Sequence, residues 1–351
     1  MAGTERKDST PVGSEQVPAV DAALDWLVTA QSPSGEMPSW ASPLDEGDHI
    51  WVADSLQFIT ALAALSLDRV DDPRAQAVVD GAVTFLRSER EVGSQWRYWS
   101  RANDQHEFTP PDADDTACCS MAVACRGVRT DSNVRLLLAN QDPEGRFYTW
   151  LIPHRPIRNP RTRFAWRDEW RSEVRSRRQE LWDTTEAEPD DIDAVVNANV
   201  CRYLGPRHAP RAAVEWVASV LEAGNEDTAD KWHRNPATMY AAVADGARRG
   251  IGRFAALAAP VAERIEARTD EQGDPANGLD TALSLLALQA FATAVDLRRR
   301  LARHLIATQA PDGSWARSVF YYGGPREVFG WASEAMTTAH ATQALAAEVD
   351  L

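Results

Sequence analysis

Apolar and small residues recur along the chain at helical spacing, in two alternating kinds of segment. One kind is rich in Ala and opens near Asp, Glu or Asn, over roughly residues 48–66, 112–126, 190–204, 235–247, 278–292 and 332–347. The other carries more charge on one face, over roughly 17–31, 75–90, 131–141, 209–222, 253–268 and 296–309. Six of each in alternation predict an all-α (α/α)6 toroid, a barrel with the Ala-rich helices inside and the amphipathic ones outside. Small inner side chains let those helices approach closely around a central cavity. No stretch with the two-residue period of a strand is of consequence, so β structure is expected to be minor. Residues 1–16 read as a flexible N-terminus, and 17–351 as one domain.

A recurring phrase supports the repeat. Leu305, Gln309, Gly313 and Trp315 give its full form, Leu137, Gln141, Gly145 and Phe147 repeat it with Phe for Trp, and Leu27, Gln31 and Gly35 lack the aromatic. Leu86, Arg90, Gly93 and Trp96 form a shortened variant. Each reads as an outer helix stopped by glycine, with an amide to satisfy end groups and an indole lying over the turn, which makes Trp315 structural. One interval breaks the rhythm: residues 148–188 are an Arg-rich insertion, with nine Arg between His154 and Arg178 against Asp168, Glu169 and Glu173.

Charge sharpens that contrast. The 351 residues carry a net charge of −15, which repels phosphate backbones and argues against a nucleic-acid partner. No apolar run approaches the ~18 residues of a spanning helix, and Met1 to Pro18 is polar, unlike a signal segment. Cys118, Cys119, Cys125 and Cys201 suit buried free thiols in a reducing compartment, so a cytoplasmic protein is expected.

The candidate chemistry lies at the start of the second inner segment, Pro110-Pro111-Asp112-Ala113-Asp114-Asp115-Thr116-Ala117. Proline cannot continue a helix backwards, so Asp112 is expected at the cap with Asp114 and Asp115 in the first turn. Three carboxylates so close repel one another. If this helix end faces an apolar cavity, at least one should keep its proton at neutral pH and serve as a general acid in a dry place. The helix terminus opposes this by only ~0.3–1 kcal/mol. Asp280-Thr281-Ala282 repeats the Asp115-Thr116-Ala117 phrase, so Asp112 and Asp114 are what exceeds the repeat.

DADDTA at residues 112–117 resembles the D-x-D-D-T-A motif of class II terpene cyclases, and the Gln-to-Trp phrases resemble the repeat of squalene-hopene cyclases. The resemblance runs from about residue 17 to the end. It implies that Asp114 protonates a terminal alkene or epoxide of a linear polyprenyl substrate, with Asp112 and Asp115 anchoring and tuning it. Val196 to Gly205 resembles the inner helix on which squalene-hopene cyclases carry a His bonded to the acid, and Asn199 falls at that His. An amide there can orient the acid without adding charge, or it can simply satisfy buried backbone. Most members have two or three helical domains, whereas this chain holds one.

A cyclase must stabilise carbocations with ring faces. Trp51, Phe320, Tyr321, Tyr322, Phe329 and Trp331 are the candidates from inner-helix starts and adjoining loops, although aromatics there also fill cores. Arg158, Arg161 and Arg163 are the head-group candidates for a diphosphate or a prenylated aromatic acid, against the plainer reading of a solvated helix. No cofactor is expected, Mg²⁺ entering only with a diphosphate substrate, and a polyprenyl substrate implies at most transient membrane contact. The metal motif of class I synthases is absent, Asp190-Asp191-Ile192-Asp193 having the wrong spacing, and ligation by Cys118, Cys119 or His340 is not expected. The rivals are an (α/α)6 glycosidase using Asp54, Asp193 and Glu334, and a non-catalytic toroid that binds a lipid or a protein.

Overall fold

A computed structural model describes residues 12–44, 50–154, 159–167, 169, 171–269, 277–324 and 328–348. Six Ala-rich helices form its inner layer: α2 (Gln57–Leu67), α4 (Ala113–Ala124), α8 (Ala194–His208), α10 (Pro236–Arg248), α13 (Gly278–Ala290) and α15 (Glu334–Ala346). Each packs on the next in that order, and α15 packs back on α2, so the inner helices close a ring. They are buried almost all round. In α4 every residue from Ala113 to Val123 is buried, as a helix with neighbours on all sides requires.

The amphipathic helices α1 (Val12–Ala30), α3 (Pro73–Glu89), α5 (Asp131–Ala139), α9 (Arg211–Ala223), α12 (Ala258–Arg268) and α14 (Val295–Thr308) alternate with them in sequence. The recurring phrase fastens this outer layer. Gln309 Nε2 donates to Gly313 O within its own turn (2.8 Å) and to Ala19 O of α1 (2.8 Å), and Gln31 does the same to Gly35 O and Val78 O of α3. Gly35 and Gly313 have φ near +92°, and a Cβ on either would collide with the carbonyl of Gly81 or Ala22, so glycine here serves both the turn and the close approach of the neighbouring helix. Trp315 is fully buried, its indole donating to Leu305 O at 2.9 Å, and Trp96 does likewise to Leu86 O at 2.8 Å.

Two departures from the sequence reading matter for the site. The segment expected to be helical from residue 48 is extended before α2 begins at Gln57: residues 45–49 lie outside the described ones, and β2 (Val52–Ala53) follows. It joins a four-stranded antiparallel sheet, order β2-β1-β4-β3, with β1 (Trp40–Pro43), β3 (Val319–Gly323) and β4 (Phe329–Ala332). Trp40 pairs with Ala332 and Pro43 with Phe329, so the loop after the first helix is sewn to the loop before the last. These strands come from loops whose apolar residues are too few to show a period, which is why they were illegible. The N-terminal helix also starts at Val12, inside the stretch expected to be flexible, of which residues 1–11 lie outside the described ones. In the insertion, α6 (Pro160–Ala165) and α7 (Ser172–Thr184) are both short, and no described helix is long and apolar enough to cross a membrane.

Candidate active site

Asp112 is the N-cap of α4, its carboxylate accepting from Asp115 N at 2.6 Å. Asn277 caps α13 onto Asp280 N in the same way at 3.0 Å, so Asp112 and Asp115 occupy positions that another inner helix start also provides. Asp114 is different. Its Oδ1 accepts from Asn199 Nδ2 of α8 at 2.6 Å, its Oδ2 lies 3.0 Å from His233 Nε2, and it is 6% exposed. Cys118 Sγ, one turn along α4, is 3.9 Å from Oδ1.

His233 was not singled out in the sequence. It stands two residues before Asn235, the cap of α10, and Asp230 holds the loop by accepting from the backbone N–H of Trp232 (3.0 Å) and His233 (2.7 Å). A histidine just ahead of an inner helix that opens Asn235-Pro236 was the available signal. Burial disfavours its imidazolium, but the hydrogen bond to Asp114 and the charge of Asp230 outweigh that and raise its pKa to about 9. His233 Nδ1 is buried without a partner.

The carboxyls around it are pushed the other way, toward the neutral form. Burial, with the charge of Asp114, raises Asp112 to about 6 although Asp115 hydrogen-bonds it, and burial and Asp112 push Asp115 well above the usual carboxylate range. Asp193, holding Thr149 Oγ1 at 2.6 Å and Trp232 Nε1 at 3.1 Å, is raised to about 7 by burial and by Asp230. One cationic imidazole therefore sits amid acids that resist ionisation.

Two cavities flank this group. At the N-terminal ends of the inner helices lies a chamber of about 460 Å³ walled by Tyr98, Trp99, Phe108, Trp150, Trp232 and Tyr321, with Phe329 and Trp331 from β4 and Leu181, Thr184 and Ala187 from the end of α7 and beyond. A cleft of about 10 Å³ lined by Asp112, Asp114 and Asp115 shares Tyr98, Trp232 and Tyr321 with it, and these rings stack, Tyr98 on Tyr321 at 4.6 Å and Tyr321 on Trp232 at 5.8 Å. On the other side, a narrow axial shaft of about 90 Å³ is lined by Asn199, His233, Phe58, Phe320 and Met336 and continues toward the C-terminal ends of the inner helices.

Of the aromatic candidates, Tyr321, Phe329 and Trp331 line the chamber, and Phe320 lines the shaft, stacked on Phe58 at 6.2 Å. Trp51 and Tyr322 line neither; Arg317 lies over the Trp51 ring (5.5 Å) and Arg234 over Tyr322 (4.7 Å). Trp51 was placed by assuming that an inner helix began at residue 48. Of the arginine candidates, those described line neither cavity. Arg158 lies outside the described residues, and Arg161 and Arg163 are exposed on α6, whose neighbour Trp166 bonds Gln95 on the flank of the ring. The insertion reaches the chamber through α7, and its one buried arginine there, Arg178, is held by Glu169 and by the carbonyls of Glu107 and Phe108. Charge counted along a segment does not say which face meets a cavity.

The carboxylates of the glycosidase reading do not converge. Asp54 is on the chamber wall, accepting from the indole N–H of Trp99 (3.0 Å) and Trp331 (2.7 Å), Asp193 is occupied as above, and Glu334 pairs with Arg317. Among the described residues no group of three or more His, Cys, Asp or Glu is placed to hold a metal, and all four cysteines are free.

No protein-family model matches the chain, and no curated protein matches it. Solved structures do. A protein from Actinoplanes is similar over 95% of this chain and 99% of its own, with 19% identity and a TM-score of 0.69. Type II terpene cyclase MstE from Scytonema is similar over 95% of this chain and 98% of its own (15% identity, TM-score 0.66), and a variant of it was solved with geranylgeranyl dihydroxybenzoate as substrate. A possible member of the GH105 family from Salmonella enterica is more distant, at 12% identity and a TM-score of 0.55 over 99% of this chain. Over nearly its whole length the chain has the fold of the type II terpene cyclases.

Proposed function

We propose that this protein is a class II terpene cyclase built on a single (α/α)6 toroid, the closed ring of inner helices being its barrel. The observation that carries the reading is Asp114 itself: a buried carboxyl outside the capping pattern, gripped on both oxygens, lining a cleft of about 10 Å³ that shares Tyr98, Trp232 and Tyr321 with a chamber walled by eight aromatic rings. In its protonated form Asp114 gives its proton to a terminal alkene or epoxide of a linear prenyl chain. The alkene π pair, or an epoxide oxygen lone pair as its C–O bond breaks, takes that proton, a carbocation forms, and ring closure follows as further alkenes attack it until the last cation loses a proton. The charge left on Asp114 is received by the N–H groups of Asn199 and His233, already in place. Asp115, held well toward the neutral form, does not compete as an anion near the cation.

The rings then stabilise the migrating charge without acting as nucleophiles. The chamber offers few groups that would bind a sugar and one carboxylate, Asp54, already engaged, which favours an apolar substrate over a glycoside. Protonation needs no metal, and Mg²⁺ enters only with a diphosphate head. The test is incubation with linear prenyl compounds bearing different head groups, followed by analysis for products of unchanged mass. Asp114→Asn should abolish turnover with its melting temperature nearly unchanged, because the amide fills the space but has no proton to give. Retention of more than a few per cent of activity would falsify the assignment.

A further inference from the structure

The two cavities beside Asp114 differ in charge. Among the described residues lining the chamber the only charged side chain is Asp54. Those lining the shaft include Arg69, Arg202 and Arg249 with Asp245 as the one acid, and His340, pushed down to about 4 by burial and by Arg202, adds no charge at neutral pH.

Arg249 and its neighbour Arg248 are accounted for by the end of α10, where both pair with Asp245 one turn back, at 2.8 and 2.9 Å. Arg69 bonds Asp245 as well, at 2.5 Å. Arg202 is not so explained. It lies in the body of α8, its side chain is 12% exposed, and it has five donors. Its Nε is buried with no partner, its contact with Asp245 is a long 3.9 Å, and among the described residues its one hydrogen bond goes to Cys118 Sγ at 3.5 Å, a weak acceptor. A guanidinium this enclosed normally has its donors met by oxygen, since an unmet one costs about 1–3 kcal/mol. Above it the wall is apolar, through Leu62, Leu65, Leu279, Leu283 and Met336 to Phe58 and His233.

We propose that the shaft is a binding site for an anion carried on an apolar chain, with the phosphate or carboxylate head against Arg202, Arg69 and Arg249 and the chain running toward His233. The anion site stands on the arginines alone, whereas a prenyl chain as its apolar part rests on the cyclase reading. Such a ligand is a separate prenyl anion that contacts the two residues holding Asp114: Arg202 is joined to that acid through Cys118 at 3.5 and 3.9 Å, too close for a substrate head there to leave its far terminal alkene beside the acid.

Titration of the full chain with geranylgeranyl diphosphate and with geranylgeraniol, followed by calorimetry, tests it. The diphosphate should bind at least about tenfold tighter than the alcohol, and Arg249→Gln and Arg202→Met should each weaken the diphosphate about tenfold while leaving the alcohol alone. Arg249 is at the rim, so Arg249→Gln gives an answer even if Arg202→Met does not fold. Equal affinity for the two probes, or a diphosphate affinity that Arg249→Gln and Arg69→Gln both leave unchanged, overturns the site. The diphosphate should inhibit turnover of the neutral compound, and Arg249→Gln should relieve that inhibition. Head-group discrimination without turnover of any prenyl compound leaves the anion site and removes the cyclase reading, and turnover without discrimination does the reverse.

Discussion

His233→Gln separates a catalytic charge at Asp114 from a merely packed ring. The imidazole is 2% exposed, 3.0 Å from Asp114 Oδ2, and its pKa of about 9 stands above an ordinary 6.5. That difference corresponds to roughly 3 kcal/mol favouring the charged form, shared among Asp114, Asp230 and Asp193 against the cost of burial. A glutamine keeps a donor but not the charge, so about half of that, roughly 1–2 kcal/mol, should be lost from stabilisation of the Asp114 anion, on the order of a fivefold to thirtyfold fall in kcat. The sign for stability follows from the raised pKa: the contribution is full below about pH 6.5 and disappears as pH rises through about 9. Wild-type melting temperature and kcat should therefore both decline between about pH 7 and 10, and the variant should lack that limb of each profile. Steady-state rates and melting curves across pH check this. A variant with wild-type kcat, or one that keeps the same alkaline limb, refutes a charged His233.

Asn199→Ala should lower kcat by about a hundredfold, less than Asp114→Asn, because it removes one of two donors to the acid; an unchanged rate would make the amide structural. Trp315→Ala should cost ~3–5 kcal/mol in urea melts, since it empties a fully buried site and removes the indole hydrogen bond to Leu305 O, and a loss under about 1 kcal/mol would contradict the structural role of the repeat. Reversing charge at Arg161 and Arg163 together should leave KM for anionic prenyl substrates unchanged, both being exposed on α6; a several-fold rise would restore the head-group role to the insertion.

The helical alternation and the Gln-to-Trp phrase were legible because they are local: a 3.6-residue period and a glycine with positive φ are written in neighbouring positions. Asp112 and Asp114 were legible as what exceeds a repeated helix start, although Asp112 takes the cap position that Asn277 fills in α13, and Asn199 was legible through a resemblance along one helix. The chamber was not. Tyr98, Trp99 and Phe108 come from the loop before α4, Trp150 from the loop after α5, Trp232 from before α10 and Trp331 from β4, so only closure of the ring gathers them. The same reason hid His233, 119 residues from Asp114 in sequence and 3.0 Å in space, and Arg202, whose missing partner is a property of the packed interior. Periodicity says which face of a helix is buried. Which loops meet at its end, and which donors are left without acceptors there, is decided by tertiary packing, because those contacts join residues that share no local pattern.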